Sequence, residues 1–183
     1  AFVMPSHQYP LGIVMPIKRR MELLKWAQEK EERFIIEDDY DSELRLNGQP
    51  IPALQSIDVS EKVIYINTFT KTLSSTVRIS YMVLPEKLLE KFYRTLFFYS
   101  CTVSGFEQYA MAAFLEKGYF ERHIRRLLND YRGQRERICR MFRESPLSQI
   151  SQIYQDDAGT HFLLHVRTEL SDVEIKWAVR QRG

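Results

Sequence analysis

The sequence predicts an α/β fold with a mostly parallel sheet, followed by long helices and part of a smaller domain. Two observations support this prediction. Short apolar segments alternate with helix-like segments up to residue 85, as in a parallel sheet covered by helices. The apolar spacing then becomes helical, and it changes again between residues 142 and 150. We therefore expect a large-domain part over residues 1–145 and the start of a small domain over residues 146–183.

The first elements follow from local signals. Phe2-Val3-Met4 is strand-like and leads into a polar loop that ends at Gly12. Pro16 suits the first turn of a helix over about residues 16–30, in which apolar side chains form one stripe among charges. Three apolar runs are predicted to be strands: residues 33–38, 63–69 and 78–85.

The rest of the chain is predicted to be mainly helical. Helices are expected over residues 86–99, 106–117 and 119–142, and the third is expected to be interrupted or kinked near Gly133. A strand over residues 160–166 would contain His161 and His165. Ser171, with Glu174 three residues later, is the pattern of a capping box that begins a last helix.

Composition limits the classes of function. The chain has 183 residues and a net charge of +2, so no strong field draws it to nucleic acid or anionic membranes. No apolar run is long enough to cross a bilayer. Two cysteines without metal-ligand spacing favour a reduced, cytoplasmic setting, and the four histidines show no metal spacing either. The chain opens in a strand-like run and ends in a helix-like run, which predicts a fragment of a longer protein.

Polar side chains follow two of the predicted strands. Thr68, Thr70 and Lys71 end one strand, and Arg78 follows seven residues after the lysine. Asp38 and Tyr40 end another strand and project to the same side of an extended chain. Ligands of open α/β sheets bind at the carboxyl ends of strands, so these groups predict a ligand site there.

These residue types match the chemistry of pyridoxal phosphate. Lys71 would form the Schiff base, and Asp38 would stabilise the protonated ring nitrogen. Tyr40 would donate to the phenolic oxygen. The phosphate would be bound by two threonine hydroxyls and by a guanidinium, which can bind it bidentately. The corresponding residues are Thr68, Thr70 and Arg78.

Each residue also has an ordinary structural interpretation. Lys71 could be a solvated loop residue, Asp38 a turn cap and Arg78 half of a surface ion pair. The arginine-rich segment 122–143 is better explained as a solvated helix than as a nucleic-acid surface. An aromatic group is expected in the core or at a dimer interface. Its members are Phe92, Tyr93, Phe97, Phe98 and Tyr99.

Four stretches resemble a known family. They are residues 5–12 (PSHQYPLG), residues 36–43 (IEDDYDSE), Thr68 to Lys71 with Arg78, and His123-Ile124-Arg125-Arg126 followed by Tyr131 and Arg132. Together they resemble the fold-type I, class I/II aminotransferases, and more narrowly the aminotransferase-like effector domain of MocR-type regulators in the GntR superfamily. Leu11 stands where related loops often have a hydroxyl residue.

The resemblance implies a pyridoxal 5'-phosphate effector domain that senses a small amino compound through aldimine exchange on Lys71. It implies cofactor-binding roles for the residues named above and for Tyr9. It also implies a homodimer, and DNA contacts made by an N-terminal winged-helix domain outside this chain. Two alternatives stay open: a catalytically active class I/II aminotransferase, and a truncated fragment that binds no cofactor.

Overall fold

The computed structural model describes residues 1–46, 51–154 and 161–182. The strands in these ranges are β1 (Phe2–Val3), β2 (Ile35–Asp38), β3 (Val63–Thr68), β4 (Ser80–Val83), β5 (Ser151–Tyr154) and β6 (Leu163–Val166). The helices are α1 (Ile17–Gln28), α2 (Leu54–Ile57), α3 (Glu86–Leu96), α4 (Gly105–Glu116), α5 (Tyr119–Glu144) and α6 (Asp172–Arg182). Short 3₁₀ turns cover Ser42–Leu44 and Pro146–Gln149. None of the helices in the described ranges has the length and apolar character needed to cross a bilayer.

The main sheet has the strand order β1-β2-β3-β4. β1, β2 and β3 are parallel, and β4 pairs antiparallel with β3. The predicted mostly parallel sheet is therefore confirmed. Asp38 lies opposite Ile66, and Thr68 lies opposite Ser80. The β3–β4 connection over residues 69–79 consequently turns back at the edge where β1, β2 and β3 have their carboxyl ends, which we call the carboxyl edge.

The core lies between one face of this sheet and α1. Burial alternates along β2: Ile35 and Glu37 are buried, while Ile36 and Asp38 are half-buried. The buried hydrophobic cluster consists of Leu24, Ala27, Ile35, Leu54 and Val63. Fully burying a large aliphatic side chain stabilises the fold by roughly 1.5–3 kcal/mol, so this face fixes the strand register.

The sequence pattern does not reveal the role of Arg20. Its side chain is fully buried in α1, where a charged residue on an amphipathic helix would be expected at the surface. The guanidinium donates to the carbonyl oxygens of Met15 at 3.0 Å, Pro52 at 2.6 Å and Pro5 at 2.8 Å. Burial lowers the pKa of Arg20, and the nearby Glu37 carboxylate opposes this shift. Arg20 therefore joins the loop after β1 to α1 and to the segment before α2.

Helix α5 and the strands β4 and β6 differ from their predicted form. α5 continues past Gly133 to Glu144 without interruption. A Cβ added at Gly133 would have no atom within 4 Å, so this position faces open space and no packing contact requires glycine there. β4 is shorter than predicted, and β6 begins only at Leu163, so His161 is not a strand residue. The capping box is confirmed: the Ser171 amide donates to Glu174 at 2.8 Å.

Four of the five residues of the predicted aromatic group lie outside any core in the described part of the chain, and Phe92 is half-buried. Tyr93, Phe97, Phe98 and Tyr99 are all exposed, with Phe97 at 76%. Phe106 and Tyr109 on α4 are 83% and 82% exposed. The core interpretation is therefore wrong for these four residues, and the interpretation as a subunit interface remains.

Candidate functional site

The structure brings all seven predicted site residues to the carboxyl edge. The last residues of β2 and β3 are there, and so is the connection that leads into β4. The loop after β1 and the two residues after β2 meet at the same edge, since Tyr40 bonds to that loop. The seven residues are Tyr9, Asp38, Tyr40, Thr68, Thr70, Lys71 and Arg78.

The acid segment, residues 38–41, presents two faces. Asp39 and Asp41 are buried, whereas Asp38 and Tyr40 are half-buried on the other face. Asp39 Oδ2 accepts a 2.8 Å bond from the Tyr65 hydroxyl. Within the described ranges no donor meets the Asp38 carboxylate. Burial, followed by repulsion from Asp39 and Asp41, raises the pKa of Asp38, so a cation beside it would be stabilised.

Lys71 lies in the lysine turn, which we define as residues 69–73. The Leu73 amide closes this turn by donating to the Phe69 carbonyl at 2.9 Å. The Lys71 and Arg78 side chains are exposed, and in the described part of the chain neither one makes a hydrogen bond or an ion pair. Two cations at the carboxyl edge are therefore available to a ligand.

The two threonine hydroxyls hold the connection together. Thr70 Oγ1 lies 2.9 Å from Thr68 Oγ1 and donates to the Val77 carbonyl at 2.9 Å. Thr68 Oγ1 is also 3.2 Å from the Ile79 carbonyl. Their protons are thus used inside the connection, and binding a phosphate would require one or both hydroxyls to turn outward.

The two tyrosines contact two different histidines, Tyr40 with His7 and Tyr9 with His161. The Tyr40 hydroxyl donates to the His7 carbonyl at 3.0 Å. Burial, together with the charges of Asp41 and Asp38, raises the pKa of Tyr40, so its phenol stays protonated and remains a donor. Tyr9 is 63% exposed and packs edge-on against His161, with ring centroids 5.8 Å apart.

Sequence reasoning missed a pair of contacting histidines beside this site, of which His7 is buried and His161 half-buried. His7 is 2% exposed, and its Nδ1 bonds to Asp41 Oδ2 at 2.7 Å. The His161 ring stacks on His7 at a centroid distance of 4.4 Å. Burial and His7 lower the pKa of His161, and Lys71 adds to this shift. The one sequence signal for this pair was the position of His7 in residues 5–12, a loop that resembles the family.

Helix α5 contacts both segments that carry the candidate residues. His123 Nε2 lies 2.8 Å from the Thr72 carbonyl in the lysine turn. Arg132 Nε donates to the Leu46 carbonyl at 2.8 Å, five residues after the acid segment. The family-like motif that contains His123 and Arg132 therefore packs against the backbone that carries the candidate residues.

Comparisons with known proteins identify the relatives of the chain. No family model matches it. The HTH-type transcriptional regulator YdeL of Bacillus subtilis is 40% identical over 182 residues, covering 100% of this chain and 39% of the regulator. The probable rhizopine catabolism regulatory protein MocR of Rhizobium meliloti is 37% identical over 180 residues, covering 98% of this chain and 36% of that protein.

A solved structure agrees with these relatives. Kynurenine aminotransferase of Pyrococcus horikoshii superposes with a TM-score of 0.82 at 25% identity, covering 100% of this chain and 45% of the enzyme. The chain spans about two fifths of the length of the regulators it matches. The chain belongs to the MocR-type HTH regulators of the GntR superfamily, as part of their aminotransferase-like effector domain, and it has the fold of the fold-type I aminotransferases.

Proposed function

We propose that this chain is the pyridoxal-phosphate-binding part of a regulator's effector domain, and that it senses a small amino compound at Lys71. The observation that carries the proposal is the carboxyl edge itself. It holds an exposed amine at Lys71, a carboxylate without a described donor at Asp38 and an exposed guanidinium at Arg78. The chain's relatives are regulators with an aminotransferase-like domain, which supports this assignment.

The residues present fit the cofactor. Pyridoxal phosphate, when bound, supplies an aldehyde that condenses with amines and a ring nitrogen that withdraws electrons once it is protonated. The Asp38 carboxylate would accept a hydrogen bond from the protonated ring nitrogen. Burial and two neighbouring carboxylates make a positively charged partner favourable there. An ion pair at about 4 Å is worth roughly 4 kcal/mol at an effective dielectric of about 20, before desolvation is subtracted. Lys71 would bind the aldehyde.

The remaining polar groups suit the other ends of the cofactor. Tyr40 would redirect its hydroxyl from the His7 carbonyl to the phenolic oxygen. Arg78 would bind the phosphate with two parallel hydrogen bonds, assisted by Thr68 and Thr70. Tyr9 would line the open rim. A donor that is already hydrogen-bonded at 2.9 to 3.0 Å has to exchange one partner for another, so the net gain per hydroxyl is modest.

Sensing would follow from competition for Lys71. An amino compound that takes the place of the lysine amine releases the lysine turn from the site. That release would shift the balance between two arrangements of the effector domain, which an HTH domain could read as a change in DNA binding. The exposed aromatic surface of α3 and α4 is the candidate interface of a homodimer. We propose that the large-domain part ends at residue 145 and that the small domain begins at residue 146.

A spectroscopic experiment tests the role of Lys71. The full coding sequence that contains this chain is expressed, purified and titrated with pyridoxal phosphate, and the visible band of a lysine-bound cofactor is followed. Lys71→Ala should abolish the band, whereas Lys91→Ala, which changes another exposed lysine, should leave it unchanged. A band of normal height in Lys71→Ala, or no band in the unmodified protein, contradicts the proposal.

A second assay separates the sensor from an active aminotransferase. Amino compounds that change the band are incubated with the loaded protein and a keto acid, and product is measured against protein concentration. The sensor interpretation predicts a spectral change with less than one product molecule per site. Many product molecules per site would establish the aminotransferase instead.

A further inference from the structure

The lysine turn is held from behind by the first turns of α5. One contact is the 2.8 Å hydrogen bond from His123 Nε2 to the Thr72 carbonyl, which joins residues 51 apart in the chain. Thr72 is 1% exposed, so its carbonyl has little access to solvent. Because a carbonyl only accepts, the Nε2 atom of His123 carries the proton. A buried carbonyl that lost this donor would leave its desolvation uncompensated.

A second contact fixes the other side of the same turn. The Phe120 ring packs edge-on against Phe69, with ring centroids 5.7 Å apart at an angle of 87°. Phe69 and Thr72 therefore both rest on α5, one on each side of Lys71. The Lys71 side chain makes no hydrogen bond within the described ranges, so the direction of its amine depends on the backbone that carries it.

We propose that His123 is a positioning residue for Lys71. Its Nε2–H fixes the peptide group that follows Thr72, and it thereby sets the direction from which the lysine amine enters the site. The inference rests on the proposed function, because it concerns how Lys71 meets the cofactor. Histidine suits the task since its donor is rigidly placed on a planar ring with two side-chain torsions, and little freedom is lost on bonding.

The neighbouring contacts of α5 strengthen this assignment. The same helix contacts the 3₁₀ turn Ser42–Leu44, and its Arg132 bonds to the Leu46 carbonyl. One rigid helix thus touches both the lysine turn and the chain that follows the acid segment. This helix therefore supports both chain segments, although it contributes no group to the cofactor.

A double-mutant cycle tests the proposal. Cofactor affinity is measured for the full coding sequence, for His123→Ala, for Lys71→Ala and for the double variant, with unfolding midpoints recorded for all four. His123→Ala should weaken binding about three- to tenfold, the loss expected for one hydrogen bond. In the Lys71→Ala background the same change should have no effect, because the group being positioned is absent. His123→Gln retains a donor at similar reach and should recover most of the affinity.

Matched controls distinguish positioning from general destabilisation. Arg122→Gln alters the preceding residue, whose guanidinium donates to the backbone carbonyls of residues 117 and 118 and lies 4.6 Å from the Tyr119 ring centroid. Since these contacts all stay within residues 117–122, this variant should leave the affinity unchanged. A His123→Ala protein with unchanged affinity would overturn the inference. So would an equal loss of affinity with and without Lys71, since that result indicates a purely structural role. If the unmodified protein shows no Lys71-dependent band, the proposed function fails. If the band is normal but His123→Ala leaves the cofactor affinity unchanged, only the positioning role of His123 is overturned.

Discussion

The two halves of the molecule bury very different amounts of their side chains. In residues 1–84, a cluster between the sheet and α1 includes fully buried Ile35 and Leu54. In the described residues from 86 onward, Ser151 is the one buried residue. The first half therefore provides the rigid support for the candidate site. The second half contributes contacts from behind, through His123 and Arg132, and large aromatic surfaces that another protein surface could cover.

The largest effect should come from a cavity in the first half. Ile35→Ala removes a fully buried side chain and should lower the free energy of unfolding by about 2–5 kcal/mol. Phe98→Ala removes a larger side chain that is 66% exposed, and it should change stability by less than about 0.5 kcal/mol in the monomer. Urea unfolding at low protein concentration measures both.

Protein concentration sharpens this comparison. If the α3–α4 aromatics meet a second copy of the chain, the cost of Phe98→Ala should grow as concentration rises, because dimerisation stabilises the folded state. Similar losses for both variants at every concentration would show that the second half has its own core.

The next effect distinguishes two adjacent carboxylates of the first half. Asp38→Ala should weaken pyridoxal-phosphate binding about ten- to a hundredfold by removing the partner of the ring nitrogen. Asp39→Ala should weaken binding less but should lower stability, because the Tyr65 hydroxyl loses its 2.8 Å acceptor. Cofactor titration and thermal unfolding of each variant provide the test. Equal losses of affinity would mean that Asp38 is not the specific partner.

A smaller effect is expected from a helix cap in the second half. Ser104 accepts from the Glu107 amide at the start of α4, in a capping box that the sequence prediction did not include. Ser104→Ala should cost about 1 kcal/mol, because with no buried core in this half the local cap carries more of the helix stability. Ser100→Ala, which changes an exposed serine outside the helices, serves as the control. Amide exchange in α4 measures the loss, and equal exchange in both variants would contradict it.

The smallest effect is a difference in pH response between the halves. Burial raises the pKa of Glu37, so its contribution to stability is complete below the ordinary glutamate pKa of about 4.5 and declines as pH rises through its folded value. Bonds from Ser171 lower the pKa of Glu174, so its contribution exists above that ordinary value and declines as pH falls through its folded value. Acidification from about pH 4.5 downward should therefore loosen the start of α6 before β2.

Residue-resolved amide exchange over this pH range compares the two segments. Glu174→Gln should remove the pH dependence at the start of α6 while leaving β2 unchanged. Exchange that increases first in β2 would show that other groups dominate the acid response of the sheet.

Features with local signals were predictable from the sequence. The apolar strand segments of β2 and β3 and the serine–glutamate box of α6 each occupy a few neighbouring residues, and they occur as predicted. The two-residue period of an extended chain also places Asp38 and Tyr40 on one face. Gly133 misled the prediction because one glycine costs a helix only about 1 kcal/mol, too little to break the 26 residues of α5.

Features that depend on distant partners were not predictable. Arg20 meets carbonyls 15 and 32 residues away, and His7 meets Asp41 34 residues away. Nothing near Arg20 distinguishes it from the exposed charges of the same helix. The assignment of Lys71, Asp38 and Arg78 to a cofactor stays a prediction, because it rests on residue type and on their shared position at the carboxyl edge.

The length of α5 has a mechanical consequence. Its 26 residues make a rod of about 39 Å, with the lysine turn bonded near one end and the 3₁₀ turn Pro146–Gln149 at the other. A tilt of about 5° at the lysine end displaces the far end by about 3 Å, given that length. A backbone adjustment at the lysine turn that is too small to break its hydrogen bond to α5 would therefore move the far end of the helix by about the distance between two contacting atoms.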